Sequence, residues 1–168
     1  MLKKENIKKY LYEINEALAE KNIKGEICLY GGAVMCLVFN ARPSTKDVDA
    51  IFKPSKIIRD ISRLIAEKYD LDKNWLNDGV KGFLVEHPQK IIFNWSHLNV
   101  YVADPEYLLA MKALAARVDS TDKEDIIYLI NALKFKKSEQ IFNLIEKYYP
   151  KNQIKPATQF FIEELFEK

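Results

Sequence analysis

The chain has 168 residues, of which 48% are hydrophobic and 30% charged, and its formal net charge at pH 7 is +2. This length and composition are typical of one globular domain with a buried core, and they exclude disordered, collagen-like and membrane-spanning chains. The near balance of charge neither requires nor excludes a nucleic-acid partner, because local patches decide such binding.

The cysteines and the N-terminal segment indicate the compartment. Cys28 and Cys36 lie in apolar surroundings without metal-ligand spacing, which is typical of reduced thiols in a core. The first ten residues, MLKKENIKKY, are charged and lack the apolar run of a signal peptide. We therefore expect a cytoplasmic protein with no membrane partner.

Hydrophobic periodicity predicts a mixed α/β half followed by a helical half. Helices are predicted over 3–21, 33–39, 55–69, 106–117, 121–133, 138–148 and 156–168. Residues 22–25 would end the first of them, with Gly25 as the residue that follows its C-cap. Strands are predicted over 27–30, 47–52, 83–86, 90–95 and 98–102, with a hairpin turn at 87–89. The expected fold class is α/β (α+β) in a single domain, 1–168, with a mixed α/β core over 1–103 and a helical part over 104–168.

The stretch 29–52, LYGGAVMCLVFNARPSTKDVDAIF, contains the first candidate site. Gly31 and Gly32 stand between a predicted strand and a predicted helix, where backbone amides without a Cβ nearby can approach a phosphate. The polar loop that follows the helix contains Arg42, Thr45 and Lys46. These residue types indicate a phosphate-binding corner.

Two aspartates in the next strand predict a metal site. Because side chains alternate along a strand, Asp47 and Asp49 project to one face. Two carboxylates so placed repel each other unless a cation lies between them, and Mg²⁺ prefers such oxygen ligands. An EF-hand is excluded, since Phe52 stands where its glycine belongs and Ile58 where its closing glutamate belongs. No Lys-Ser or Lys-Thr follows a glycine-rich loop, which excludes a Walker P-loop.

Together these motifs resemble the core of the nucleotidyltransferase superfamily typified by DNA polymerase beta, in which Gly-Gly precedes Asp-x-Asp by a helix. The later segment 105–129, PEYLLAMKALAARVDSTDKEDIIYL, is similar to the distal motif of the AbiEii/AbiGii-type nucleotidyltransferase toxins. In that motif a helical lysine is followed by alanine and arginine and then by paired aspartates. The two segments cover about a third of the chain.

The resemblance implies a nucleotidyltransferase-like mixed β-sheet flanked by helices. It also implies transfer of a nucleoside monophosphate from an NTP to a hydroxyl of tRNA or protein, with Mg²⁺ or Mn²⁺ as cofactor and an antitoxin as partner. Asp47 and Asp49 would hold the metal. The residues that it assigns to the nucleotide and its phosphates are Gly31, Gly32, Arg42, Thr45, Lys46, Lys112, Arg117, Asp122 and Asp125.

A third carboxylate, which often serves as the base in this superfamily, has no clear position in the sequence. Asn94 and Asn99 occupy suitable strand positions, but an amide cannot act as a base. Among the acidic alternatives, Asp78 and Glu86, we favour Asp78 because it lies in an irregular polar loop with Trp75.

Two rival functions remain open from the sequence. One is a catalytically inactive binding or regulatory module on the same fold. The other is a structural domain without a nucleotide site, which we expect if Asp47 and Asp49 form salt bridges with Arg42 and Lys112 and no open cleft lies between them.

Overall fold

A computed structural model describes residues 1–116 and 121–167 of the chain. Within them lie a five-stranded mixed sheet, a two-stranded sheet and seven α-helices, which confirms the predicted α/β class. The chain divides into two compact units. The first comprises Met1–Leu84 and Gln89–Ala103, and the second comprises Val85–Pro88 and Asp104–Lys168.

The first unit contains all the strands and three helices among its described residues. In chain order they are β1 (Leu2–Lys3), α1 (Lys4–Glu20), β2 (Gly25–Leu29), α2 (Gly31–Leu37), β3 (Ser44–Thr45), β4 (Val48–Lys53), α3 (Ser55–Tyr69), β5 (Leu76–Asn77), a 3-10 helix (Gly79–Phe83), β6 (Gln89–Asn94) and β7 (Leu98–Ala103). Strands β1 and β3 pair to form the small antiparallel sheet.

The large sheet has the strand order β5-β4-β2-β7-β6. Strand β2 is antiparallel to β4 and parallel to β7, while β5 is parallel to β4 and β6 is antiparallel to β7. Because β2 is central, Ile27 and Leu29 are fully buried. Leu29 pairs with Ala50, so the end of β2 that leads to Gly31 lies beside the start of β4.

Aromatic residues tie α1 and α3 to the edge of the sheet. The ring of Tyr10 on α1 makes an edge contact with Trp75, which is 1% exposed and donates its indole N–H to the Ser62 carbonyl on α3 at 2.9 Å. The Trp75 carbonyl accepts from the Val48 amide at 2.6 Å. The segment predicted to be irregular over 71–79 therefore includes a short strand, β5, which this buried tryptophan places beside β4.

The strand predicted over 83–86 is wrong, and so is the hairpin at 87–89. The chain forms a 3-10 helix up to Phe83, and Val85–Pro88 belongs to the second unit. There the Val85 amide donates to the Tyr107 hydroxyl at 3.2 Å, and the His87 ring stacks on Tyr107 at 3.9 Å. The short apolar run had no period by which to distinguish a strand from an aromatic-anchored loop. The hairpin of this region is β6–β7.

The predicted role of Gly25 at the end of the first helix is also wrong. Asn22 adopts the left-handed conformation after α1, with φ of 52°. Gly25 instead begins β2, where a Cβ would come within 2.7 Å of the Leu18 side chain. The glycine thus accommodates the close packing of Leu18 of α1 on the sheet.

The second unit is helical, with α4 (Pro105–Ala115), α5 (Asp122–Ala132), α6 (Ser138–Tyr148), a 3-10 helix (Lys151–Gln153) and α7 (Pro156–Glu164). The Asp104 carboxylate caps α4 by accepting from the Glu106 amide at 3.2 Å. Helix α4 is buried along most of its length and packs against α5, α6 and α7. None of the described helices has both the length and the apolar character that a membrane span needs.

Candidate active site

The two aspartates of the metal motif lie at the start of β4. Asp49 is its second residue, and Asp47 precedes its first residue rather than lying within the strand. Both are half-exposed, whereas Val48 and Ala50 are fully buried. The alternation therefore turns both carboxylates away from the core. Among the described residues, the Asp47 carboxylate makes no ion pair or side-chain hydrogen bond.

Gly31 brings the end of β2 against the Asp49 carboxylate. Its φ is +60°, a backbone conformation that residues other than glycine adopt only at an energetic cost. A Cβ on Gly31 would lie 2.7 Å from Oδ2 of Asp49. The Tyr30 amide also donates to the Asp49 carbonyl at 2.9 Å. The absence of a side chain at Gly31 is thus what leaves room for the carboxylate.

Gly32 adjoins the basic loop. A Cβ at Gly32 would lie 2.6 Å from Nη1 of Arg42 and 2.6 Å from Oγ1 of Thr45. Thr45 is 4% exposed, and its hydroxyl donates to the Asp47 carbonyl at 3.2 Å. A guanidinium and a hydroxyl therefore share one corner with the backbone of Gly32, next to the aspartates. The structure thus brings Gly32, Arg42 and Thr45 of the predicted site close together.

Lys46 and Cys36 also lie near this corner. Lys46 is exposed, between the buried Thr45 and the half-exposed Asp47. Burial raises the pKa of the Cys36 thiol above its ordinary 9.0, and the Arg42 guanidinium partly opposes that shift. Cys36 is 2% exposed, so it forms part of the wall behind Arg42 rather than a reactive group.

Lys112 forms an ion-pair cluster in the second unit. Its ammonium lies 2.8 Å from Oδ2 of Asp125 and 3.2 Å from Oδ1 of Asp122, and it is 7% exposed. A lysine on so apolar a helix needs an anionic partner, and α5 supplies two. The salt bridges from Lys112 that the described residues contain are thus to Asp122 and Asp125. Arg117, the other cation of this motif that the resemblance assigns to the nucleotide, lies outside the described residues.

Asp78 is held by Arg59 of α3. The guanidinium and the carboxylate are 2.7 Å apart, and each side chain is about one-third exposed. Arg59 also lies over the Phe52 ring, at 5.6 Å from its centroid. Phe52 alternates with Asp49 along β4, so Arg59 is on the opposite face of the sheet from the Asp49 side chain. The structure therefore does not bring Asp78 together with the aspartate pair.

The corner of β2, α2 and β4 thus combines a glycine pair, two carboxylates, a guanidinium and a hydroxyl. Residues 5–164 match a protein family described as nucleotidyltransferase of unknown function (DUF6036). The chain belongs to this family. Neither a curated protein nor a solved structure gave a significant match.

The family match confirms the predicted membership of the nucleotidyltransferase superfamily. The oxygen ligands that Asp47 and Asp49 offer can therefore be compared with those of metals that bind nucleotides. No three His, Cys, Asp or Glu side chains gather into a metal-binding group within residues 1–116 and 121–167. Two carboxylates without a third suit Mg²⁺, which commonly uses one or two carboxylates and takes its other oxygens from substrate phosphates and water.

The sequence analysis missed two residues beside the corner of β2, α2 and β4. Asn77 pairs with Asp49 across β5 and β4, so its side chain lies on the same face as that carboxylate. Lys3 pairs with Ser44 in the small sheet and so adjoins the loop that contains Arg42. Both strands that position them are two residues long, which is too short for any hydrophobic period to indicate.

Proposed function

We propose that this nucleotidyltransferase is a Mg²⁺-dependent enzyme that transfers a nucleoside monophosphate from an NTP to a hydroxyl of a macromolecular acceptor, tRNA or protein. The observation that supports it best is the corner at Gly31 and Gly32. There the Asp49 carboxylate contacts the space at Gly31, while Arg42 and Thr45 contact the space at Gly32. Carboxylates and phosphate-binding groups so placed suit a triphosphate with its metal.

In the proposed reaction the acceptor oxygen forms a bond to the α-phosphorus of the NTP. The bond between that phosphorus and the oxygen bridging to the β-phosphate breaks, pyrophosphate leaves, and the hydroxyl proton passes to solvent. Such transfers need positioning and charge stabilisation rather than covalent chemistry from the protein. Arg42, Thr45 and the backbone of Gly31 and Gly32 would hold the phosphates.

The metal would be bound by Asp47 and Asp49. When bound, Mg²⁺ neutralises charge that develops on the phosphate oxygens and the leaving group. Thr45 supports this arrangement because its hydroxyl donates to the carbonyl of Asp47 and so orders the backbone that enters β4. The exposed Lys46 adds positive charge at the same loop.

The resemblance to the AbiEii/AbiGii-type toxins supports a further part of the proposal, that the enzyme is the toxin of a toxin–antitoxin pair. Its distal motif contains the Lys112 cluster. That resemblance assigns Lys112 and Arg117 a role in nucleotide binding, with Asp122 and Asp125 orienting Lys112. The distances from Lys112 to both aspartates suit that orienting role.

Label transfer tests the proposal. The full chain is incubated with Mg²⁺, cell extract and each of the four NTPs labelled at the α-phosphate. We expect at least one NTP to label a macromolecule, and Asp47→Asn or Asp49→Asn to lower that transfer by about 100-fold or more. A toxin should in addition arrest bacterial growth on expression, and Asp47→Asn should relieve the arrest.

The matched control is Asp60→Asn, since Asp60 is an exposed carboxylate of the same unit paired with Lys56. We expect it to retain full transfer. If no NTP yields label and wild type behaves like Asp47→Asn, the proposed activity is excluded.

A catalytically inactive binding module is the second candidate. It is favoured by the engagement of Asp78 with Arg59 and by the lack of a three-carboxylate group among the described residues. Calorimetry distinguishes the two, because the module would bind an NTP with Mg²⁺ and transfer nothing.

A further inference from the structure

One side of α1 faces the outer strand β6 of the large sheet. Lys4, Lys8 and Tyr12 are spaced four residues apart, so they follow one another along the helix. The Lys8 ammonium lies 5.4 Å from the centroid of the Phe93 ring, and the Tyr12 ring makes an edge contact with Trp95 at 5.1 Å. Helix α1 and strand β6 thus form one surface strip, which we call the α1–β6 strip: Lys4, Lys8, Tyr12, Phe93 and Trp95.

The aromatic part of the strip is stacked and accessible. The Phe93 and Trp95 rings are parallel, with 4° between their planes and 4.7 Å between their centroids. Both are half-exposed, and Tyr12 is 45% exposed. Trp75, in contrast, is 1% exposed and packs into the core. Adjacent aromatic rings that remain accessible to solvent are a common feature of binding surfaces.

The basic end of the strip reaches the candidate active site. Lys4 donates to the Asn40 side chain at 3.0 Å. Lys3, Lys4 and Arg42 line a cavity of about 630 Å³ together with Asn40. Arg42 also contacts the space at Gly32, so this cavity opens beside the phosphate-binding loop. From Lys4 to Tyr12 the helix rises about 12 Å, which is the span of about three phosphates of one nucleic-acid strand.

We propose that the α1–β6 strip binds single-stranded nucleic acid, with bases stacking on the exposed parts of Tyr12 and Trp95 and phosphates contacting Lys8, Lys4 and Arg42. Aromatic platforms beside cations bind single strands because unpaired bases expose their ring faces. In a duplex those faces are covered by neighbouring bases. That the bound strand is the acceptor rests on the proposed function, whereas the binding itself does not.

Fluorescence anisotropy of labelled 12-residue strands tests the strip. Oligouridylate and oligothymidylate are titrated with the full chain, without NTP, over a range of salt concentrations. We expect Tyr12→Ala or Trp95→Leu to weaken binding about tenfold. Lys8→Gln should reduce the slope of log K against log salt by about 0.7, because one fewer phosphate is neutralised. Binding should also quench Trp95 fluorescence in the wild type.

The matched control is Lys9→Gln, which removes the same charge from the other side of α1. Lys9 lies over the Tyr69 ring of α3, 4.5 Å from its centroid, and not on the strip. We expect its affinity to stay within about twofold of the wild type and its salt slope to be unchanged. Circular dichroism verifies that each variant is folded. If Trp95→Leu does not fold, Lys8→Gln still tests the proposal.

Several outcomes overturn the inference: equal effects of Lys8→Gln and Lys9→Gln, wild-type affinity in Trp95→Leu, or preference for a hairpin duplex over both single strands. Self-association that Trp95→Leu abolishes, without oligonucleotide binding, would assign the strip to a second copy of the chain. The RNA and DNA arms identify the natural strand. Asp47→Asn should still bind both, so loss of transfer and loss of binding are separate results.

Discussion

At Gly31 a backbone constraint and a space constraint coincide. The residue has φ of +60°, and any Cβ there would lie 2.7 Å from the Asp49 carboxylate. Either constraint alone would favour glycine. Together they mean that a substitution strains the turn and displaces the Asp49 carboxylate at once.

We expect Gly31→Ala to lower the free energy of unfolding by about 2 kcal/mol, since alanine in the left-handed region is strained by roughly 1–2 kcal/mol before the clash is counted. Urea denaturation measures this loss. The same variant should bind Mg²⁺ and NTP more weakly by calorimetry, because the Asp49 carboxylate must move.

Gly82→Ala is the control for Gly31→Ala. Nothing lies within 4 Å of a Cβ at Gly82, and its φ is not in the left-handed region. We expect stability and nucleotide binding to be unchanged in this variant. Equal stability of Gly31→Ala and Gly82→Ala would contradict the geometry described for the turn.

Among the elements, α4 and α5 are joined by the charges of Lys112, Asp122 and Asp125, of which Lys112 and Asp125 are buried. Lys112 is 7% exposed and the Asp125 side chain 4%, so this pair is largely withdrawn from water. Removing one partner of a buried pair leaves a charge without compensation, which is more destabilising than replacing both partners.

We expect Lys112→Met to lower the free energy of unfolding by about 3 kcal/mol, and the double variant Lys112→Met with Asp125→Leu to recover part of that loss. Chemical denaturation gives both values. If Lys112 has only a structural role, its substitution changes the free energy of unfolding alone. If Lys112 also contacts the triphosphate, the KM for NTP should rise in the folded single variant under stabilising conditions.

The control for the Lys112 cluster is Lys56→Met, whose pair with Asp60 on α3 is exposed. Exposed i,i+4 pairs contribute a few tenths of a kcal/mol. A similar loss in Lys56→Met and Lys112→Met would mean that burial does not set the strength of the cluster.

For the whole molecule, alkaline pH should destabilise both units. Burial raises the pKa of the Cys28 thiol in the first unit from 9.0 to about 11. In the second unit burial, together with the hydrogen bond to Tyr107, raises the pKa of Tyr149 above its ordinary 10.0. In the unfolded chain both groups lose their protons at lower pH than in the folded chain, so the folded state binds more protons and stability falls as pH rises.

We expect the midpoint of urea unfolding to fall from pH 8 to pH 10.5, and Cys28→Ala and Tyr149→Phe each to make that fall shallower. Each variant is compared with itself at pH 7, so a loss of packing does not enter the comparison. An unaltered pH dependence in the double variant would show that these two groups do not control alkaline stability.

Much of the architecture was predictable because it depends on local patterns. Helix α3 occupies the predicted 55–69 and α6 the predicted 138–148, since an amphipathic stripe repeats over three or more turns. Strands β6 and β7 match to within one residue at their ends. Short elements failed: β1, β3 and β5 have two residues each and no period, and the run at 83–86 is held by Tyr107 instead.

The sequence by itself determined the chemistry of the candidate site, because glycines, a basic loop and two aspartates lie within 19 residues of one another. It also determined that Lys112 needs an anion. Only the tertiary structure decided that Arg59 engages Asp78, that Asn77 lies beside Asp49, and that Phe93 and Trp95 meet Lys8 and Tyr12. These partners are between 19 and 85 residues apart in the sequence, and such contacts depend on strand pairing and helix packing, which no local spacing encodes.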